Sequence, residues 1–134
     1  LWRELLMALR GLRDQRKMSV LLIAHHQIRK HQDPEMDQID RYEIKLHSKA
    51  SALVQESCDM VLFCKHKNIT KKEDTGFGNS RTRGISTGKR VMCTTETPSY
   101  VAKNRFGLPD EIDLSWSALA AALNPTPATT QAKG

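Results

Sequence analysis

The residues best placed for chemistry are His25, His26 and Gln27, which follow directly on the six small or apolar residues 19–24, Ser-Val-Leu-Leu-Ile-Ala. A run of that composition without alternation predicts a strand buried on both faces, as in a parallel sheet covered by helices. Ligands in open parallel sheets sit beyond the carboxyl ends of the strands, so a polar step here stands where chemistry is expected. A second concentration of chemistry is charge. Residues 65–90 hold eight cations (Lys65, Lys67, Lys71, Lys72, Arg81, Arg83, Lys89 and Arg90) against Glu73 and Asp74, a local excess of +6 that equals the formal net charge of the whole chain. Clustered positive charge favours a polyanion partner over a merely solvated surface.

Phosphate binding has one apparent candidate inside that basic stretch. Gly84-Ile-Ser-Thr-Gly88-Lys89-Arg90 has the look of a phosphate-binding loop, but three residues separate its glycines where four are needed. It also carries Arg90 where the magnesium-binding Ser or Thr belongs, and it leads into a strand where a phosphate loop leads into a helix. It is therefore rejected as a Walker A motif, and a cradle for ATP is expected upstream of Leu1. Cys58, Cys64 and Cys93 lie in or beside apolar runs, and an odd count without a signal peptide predicts reduced thiols in a cytoplasmic protein. None of them forms a Cys-x-x-Cys pair, and with His66 beside Cys64 as the one tempting partner, no metal site is predicted. No apolar run approaches the ~20 residues of a membrane span.

The elements that must position these groups can be read in order. With 134 residues, 39% of them hydrophobic, the chain suits one core and one domain. It opens on Leu1 directly in a helical pattern and so reads as a piece of a longer protein. Trp2, Leu5, Leu6, Leu9 and Leu12 recur at helical spacing, and Arg16 and Lys17 suit the negative end of that helix. After the strand at 19–24, residues 28–46 carry Asp33-Pro34 and a dense mix of charges, which predicts a long loop. Such loops are usually functional or mobile, the alternative being a solvated loop with internal ion pairs.

Leu46, Ala50, Leu53, Val54 and Ser57 predict a second helix ending before Asp59, and residues 60–64, Met-Val-Leu-Phe-Cys, a second buried strand. Two helix-then-strand units make a right-handed, mostly parallel α/β sheet flanked by helices the expected architecture. Residues 65–88, with Gly76, Gly78, Gly84 and Gly88, predict an extended hairpin or loop. Residues 90–95 and 100–103 predict short strands, residues 104–109 a turn, and residues 116–123 a helix capped by Asp113 or Ser115. The tail after Asn124 is expected to be disordered.

The helix, the run Val-Leu-Leu-Ile-Ala-His-His-Gln, the charged stretch with Asp33-Pro34-Glu35 and Asp40-Arg41-Tyr42-Glu43, Asp59-Met-Val-Leu-Phe, and Tyr100-Val-Ala-Lys-Asn-Arg-Phe-Gly-Leu-Pro109 together carry a resemblance. The chain resembles the carboxyl-terminal half of phage RecA-like P-loop ATPases, the nucleotide-binding recombination or single-strand annealing proteins of bacteriophages. Residues 23–29 and 102–109 are its most specific pieces, and Lys-Asn-Arg-Phe-Gly also resembles the signature of the bacterial RadA branch. The resemblance divides the chain into residues 1–114, the second half of an ATPase core without its Walker A and B segments, a short helix at 115–123, and a tail at 124–134.

What the resemblance implies is specific. Lys103 and Arg105 match a Lys-x-Arg pair that reaches a neighbouring subunit's nucleotide, where placed positive charge helps phosphoryl transfer. If both lie on one strand they share a face; the alternative is pairing with Asp110 or Glu111. His26 or Gln27, with His25 next, matches a sensor of the γ-phosphate, the alternative being a histidine that caps the sheet. Arg29, Lys30, Arg41 and Lys45 fall in the place of a DNA-binding loop, and Lys71, Lys72, Arg81 and Arg83 form a second candidate surface, with Tyr42 and Phe77 available for stacking on bases. The implied cofactors are ATP and Mg²⁺, and the implied partners are single-stranded DNA and further copies of the chain in a ring or filament, in the cytoplasm of a bacterial host. A non-enzymatic nucleic-acid-binding module and a relative of hexameric helicases are the alternatives.

Overall fold

The computed structural model describes residues 1–74 and 80–125, without the side chains of residues 33, 36, 70–74 and 80–83. In order, the elements are α1 (Trp2–Arg16), β1 (His26–Asp33), β2 (Met36–Ile44), α2 (Ser48–Ser57), β3 (Met60–Val61), β4 (Phe63–Asp74), β5 (Ser80–Cys93), β6 (Lys103–Asn104), β7 (Glu111–Asp113) and α3 (Trp116–Leu123). The three- and four-residue spacing of its apolar side chains winds α1, which Lys17 closes in the left-handed region at φ 55, with the N–H groups of Lys17 and Met18 bonded back to the Leu12 carbonyl. Ser115 caps α3, its hydroxyl accepting from the Ala118 N–H at 3.1 Å. The tail expected to be disordered lies, from residue 126, outside the described residues.

The expected mostly parallel sheet is not formed. Among the described residues every ladder is antiparallel: β1 with β2, β3 with β6, and β4 and β7 on either side of β5. The one parallel contact is an isolated bridge between Tyr42 and Tyr100. The fold is a mixed α/β arrangement of three small sheets. Parallel pairing would need residues 19–24 and 60–64 to meet through a crossover. Residues 60–61 pair instead with 103–104, and β4 turns back onto β5, which satisfies its backbone groups locally.

Residues 19–24 form no strand, and Leu21 and Ile23 are 73% and 92% exposed. A strand buried on both faces needs hydrogen-bonded neighbours and covering layers, and the described residues supply neither. Residues 28–46 are not a loop either. They form the β1–β2 hairpin around a two-residue turn at Pro34 and Glu35, with Ile28 opposite Tyr42 and Lys30 opposite Asp40. Pro34 pre-sets the backbone for that turn.

The core lies where β5, β7 and α3 meet. Met92, Leu108, Ile112 and Leu119 are buried together, with Met60, Leu62, Ala118, Ala122 and Leu123 packed around them. Truncating Leu119→Ala should lower stability by about 2–5 kcal/mol through the cavity it leaves. Ile69→Ala, at a side chain 54% exposed on β4, should change it by no more than about 0.5 kcal/mol. Denaturant midpoints of the two variants check the contrast, and equal losses would mean that the core is placed wrongly.

Candidate functional site

β6 stops at Asn104, and that side chain shapes the turn that follows. Its Oδ1 accepts from the N–H groups of Phe106 at 3.1 Å and Leu108 at 3.2 Å, and its Nδ2 donates to the Leu108 carbonyl at 2.8 Å. Gly107 takes a left-handed φ of 66 within the turn, which a residue without Cβ adopts readily. The turn carries Arg105 and Phe106 outward.

Two cations converge here on the end of α2. The Lys103 Nζ donates to the carbonyls of Gln55 at 2.7 Å and Glu56 at 3.2 Å, acceptors that a helix leaves without partners in its last turn. The Arg105 Nη1 lies 3.3 Å from the Asp59 Oδ1, and the Arg13 Nη1 lies 3.1 Å from the Asp59 Oδ2. One carboxylate is thus shared by a guanidinium from α1 and another from the turn. The Arg105 side chain is 54% exposed, so its ion pair is weak, about 0–1 kcal/mol, and the guanidinium can exchange partners.

The two cations therefore do not share a strand face, because the strand ends before Arg105. They meet from a strand and a turn on residues 55–59. Neither pairs with Asp110, which accepts from the Thr95 hydroxyl at 2.6 Å, or with Glu111, which pairs with Lys67. Cys58 lies beside this cluster; burial pushes its thiol up, Lys103 opposes that shift and Asp59 adds to it.

The other candidates fall elsewhere. His26 and Gln27 open β1, not the end of a buried strand. The His26 ring stands edge-on to Tyr42 and Phe63, at 5.1 and 6.1 Å between centroids, in a cluster where Phe63 stacks on Tyr100 at 4.7 Å and the Lys65 Nζ sits 5.0 Å from the Tyr100 ring centroid. The Gln27 Nε2 donates to the carbonyls of Ile44 and Leu46, at 3.2 and 3.4 Å, and the His25 carbonyl accepts from the Lys45 N–H, so these residues tie the ends of the first hairpin.

Arg29 donates to the Leu46 carbonyl at 3.1 Å. Arg41, only 11% exposed, contacts His31 and Glu96. Lys30 and Lys45 are exposed. Lys71 stands opposite Arg83 and Lys72 opposite Thr82 in the β4–β5 ladder, but the side chains of Lys71, Lys72, Arg81 and Arg83 lie outside the described residues, as does Phe77.

Three residues that the spacing did not single out now matter. Asn104 carried a readable signal, since an Asn shortly before Gly107 and Pro109 is turn chemistry. Asp59 and Arg13 carried none, because each arginine meets Asp59 across 46 positions of sequence.

A family model described as an AAA domain matches residues 1–106. This chain belongs to that AAA domain family. No curated protein and no solved structure matches it. The matched span includes Asp59, Lys103 and Arg105, and it makes the chain part of a nucleotide-binding, ATPase-like family whose domains typically bind ATP with Mg²⁺.

The described residues of the AAA domain do not themselves fit that cofactor as a cradle. Residues 84–90 lie within β5, with Gly88 at φ 73 and no helix following, so no helix N-terminus faces a phosphate there. The groove between α1 and α2, lined by Arg3, Leu6, Arg10 and Leu53, holds about 90 Å³, well below the roughly 300–1,000 Å³ of ligand pockets. No three His, Cys, Asp or Glu side chains among the described residues come together as metal ligands. No helix among the described residues is long and apolar enough to cross a membrane.

Two measurements probe the cluster. Asn104→Ala should cost about 1–3 kcal/mol by leaving the Leu108 N–H and carbonyl without partners, read as a shift in denaturant midpoint. Alkylation of Cys58 in a variant without the other two cysteines should have its pH midpoint above that of the same thiol in urea, since burial favours the neutral form. Coincident midpoints would contradict the burial of that thiol.

Proposed function

We propose that this AAA domain belongs to an ATP-dependent recombination or annealing protein of a bacteriophage, working on single-stranded DNA as a homo-oligomer in the bacterial host. In this reading residues 1–114 are the second half of the ATPase core, and they present positive charge to ATP and Mg²⁺ held by a neighbouring copy.

The observation that carries the reading is the half-exposed Arg105 guanidinium, set on a turn fixed by Asn104 beside an anchored Lys103. Charge development in phosphoryl transfer is met mainly by positioned cations, and one supplied in trans contributes about 10³–10⁵ in rate. Arg105 is the catalytic candidate. Lys103 supports it from the end of α2. His26, exposed at the edge of the aromatic cluster, and Gln27 at the hairpin ends are the candidates for reporting nucleotide state to the β1–β2 hairpin.

On that hairpin Lys30 and Lys45 are the side chains free to meet phosphates, while Arg29 and Arg41 hold its base. Lys71, Lys72, Arg81 and Arg83 belong to a second basic set on β4–β5, apart from this single-strand surface. The exposed apolar residues 20–23 are left for the rest of the ATPase core to cover. The basic β4–β5 hairpin also favours a second reading, a nucleic-acid-binding module that ignores ATP, which would bind with steep salt dependence and no turnover.

Arg105→Ala in the full-length protein separates the two. ATP hydrolysis stimulated by single-stranded DNA should fall by about 10³-fold or more, while DNA binding measured by anisotropy stays within about twofold of wild type. Unchanged turnover would contradict the role given to Arg105, and absence of turnover in the wild type would favour the second reading.

A further inference from the structure

β4 and β5 continue well past the body of the protein. β7 pairs only with residues 91–93 of β5, yet the β4–β5 ladder runs on from His66 and Arg90 to Asp74 and Ser80. At about 3.3 Å per residue the free part is a two-stranded ribbon about 30 Å long. Every residue of it whose side chain is described, 66–69 and 84–90, is exposed. A two-stranded ribbon of this kind has no face buried against a core and is marginally stable by itself, so packing does not account for its length.

Its charge is one-sided. Sheet edges are often protected by charged residues against pairing with other chains, but that protection works with either sign, and here seven of the nine charged residues at positions 66–74 and 80–90 are cations. Lys89 and Arg90 have no ion-pair partner among the described residues. The ladder is interrupted between His66 and Asn68, where residues 87–89 bulge opposite Lys67, Gly88 takes φ 73 and the Thr87 hydroxyl donates to the Lys67 carbonyl at 2.6 Å. A bulge bends a strand and increases its right-handed twist. Further out, a Cβ on Gly84 would meet open space, so the fold does not require glycine there. Bare backbone inside a strand suits the close approach of another molecule.

We propose that the β4–β5 ribbon is a binding site for duplex DNA, lying in the major groove with Lys89 and Arg90 on the flanking phosphates. The B-form major groove, about 12 Å wide, admits a two-stranded ribbon whose strands are about 4.8 Å apart. The corresponding groove of double-stranded RNA is deep and too narrow for one. The site is separate from Lys30 and Lys45 on the first hairpin, and it requires neither ATP nor the role given to Arg105.

The test compares wild type with Lys89→Ala/Arg90→Ala and with Lys30→Ala/Lys45→Ala, using the full chain and labelled 20-base-pair DNA, single-stranded DNA and double-stranded RNA of the same sequence. Circular dichroism checks that each variant is folded. The ribbon variant should bind duplex DNA about tenfold or more weakly, with the slope of log affinity against log salt reduced by about two, and should bind single-stranded DNA as wild type does. The hairpin variant should show the reverse, and its failure to do so would count against the single-strand reading alone. The proposal is overturned by a ribbon variant that binds duplex DNA normally, by an equal loss on single strands, or by wild-type affinity for duplex RNA that matches that for duplex DNA.

Discussion

What the structure turns on is the burial of residues 91–94, the most tightly enclosed stretch among the described residues. Val91 and Thr94 are 1% and 0% exposed, and Met92 and Cys93 are buried between them. From this point β4 leaves on one edge and β7 on the other, and the Leu114 N–H bonds to the Arg90 carbonyl at 3.0 Å before α3 begins. Thr94 also holds the far end of the Arg105 turn. Its N–H donates to the Asp110 carbonyl at 3.0 Å and its hydroxyl to the Pro109 carbonyl at 2.6 Å. Unmade, such buried bonds cost about 1–3 kcal/mol each, so this end of the turn is the rigid one.

The side of the molecule that carries the proposed site is held far more lightly. Lys103 fastens the near end of the turn to α2 and Asn104 fixes its middle, but Arg105 itself, among the described residues, meets a partly exposed carboxylate that it shares with Arg13. That difference suits a cation that must be aimed yet remain free to leave Asp59 for a phosphate. The two hairpins follow the same division. Each is rooted at one end, β1–β2 beside the half-buried rings of Tyr42 and Phe63 and β4–β5 in the buried residues 91–93, and Lys30 and Lys89 stand exposed beyond those roots.

The helices were legible in the sequence because their signals are local. Leu6 and Leu9, Ala50 and Val54, and Ser115 before Trp116 all lie within one or two turns of the residues they act on. The sheet was not. Residues 19–24 have the composition of an interior strand, but interior position depends on neighbours that no local pattern reports. The β1–β2 hairpin was hidden because Arg29, Lys30, Asp40 and Arg41 place charges on both of its faces, which erases the alternation that marks a half-buried strand. The candidate site was legible in part. Lys103 and Arg105 stood out by resemblance to a motif, whereas Asp59 and Arg13, which orient Arg105, are joined to it only by the folded chain.

In the proposed function Arg105 acts on nucleotide held by another copy. Mixing two inactive forms of the full-length protein tests it most directly, one with Arg105→Ala and the other with its phosphate-binding loop disabled. The mixture should regain ATP hydrolysis, because an intact Arg105 from one form meets an intact loop from the other at a shared interface. A mixture as inactive as its components, despite co-assembly shown by light scattering, would contradict action in trans.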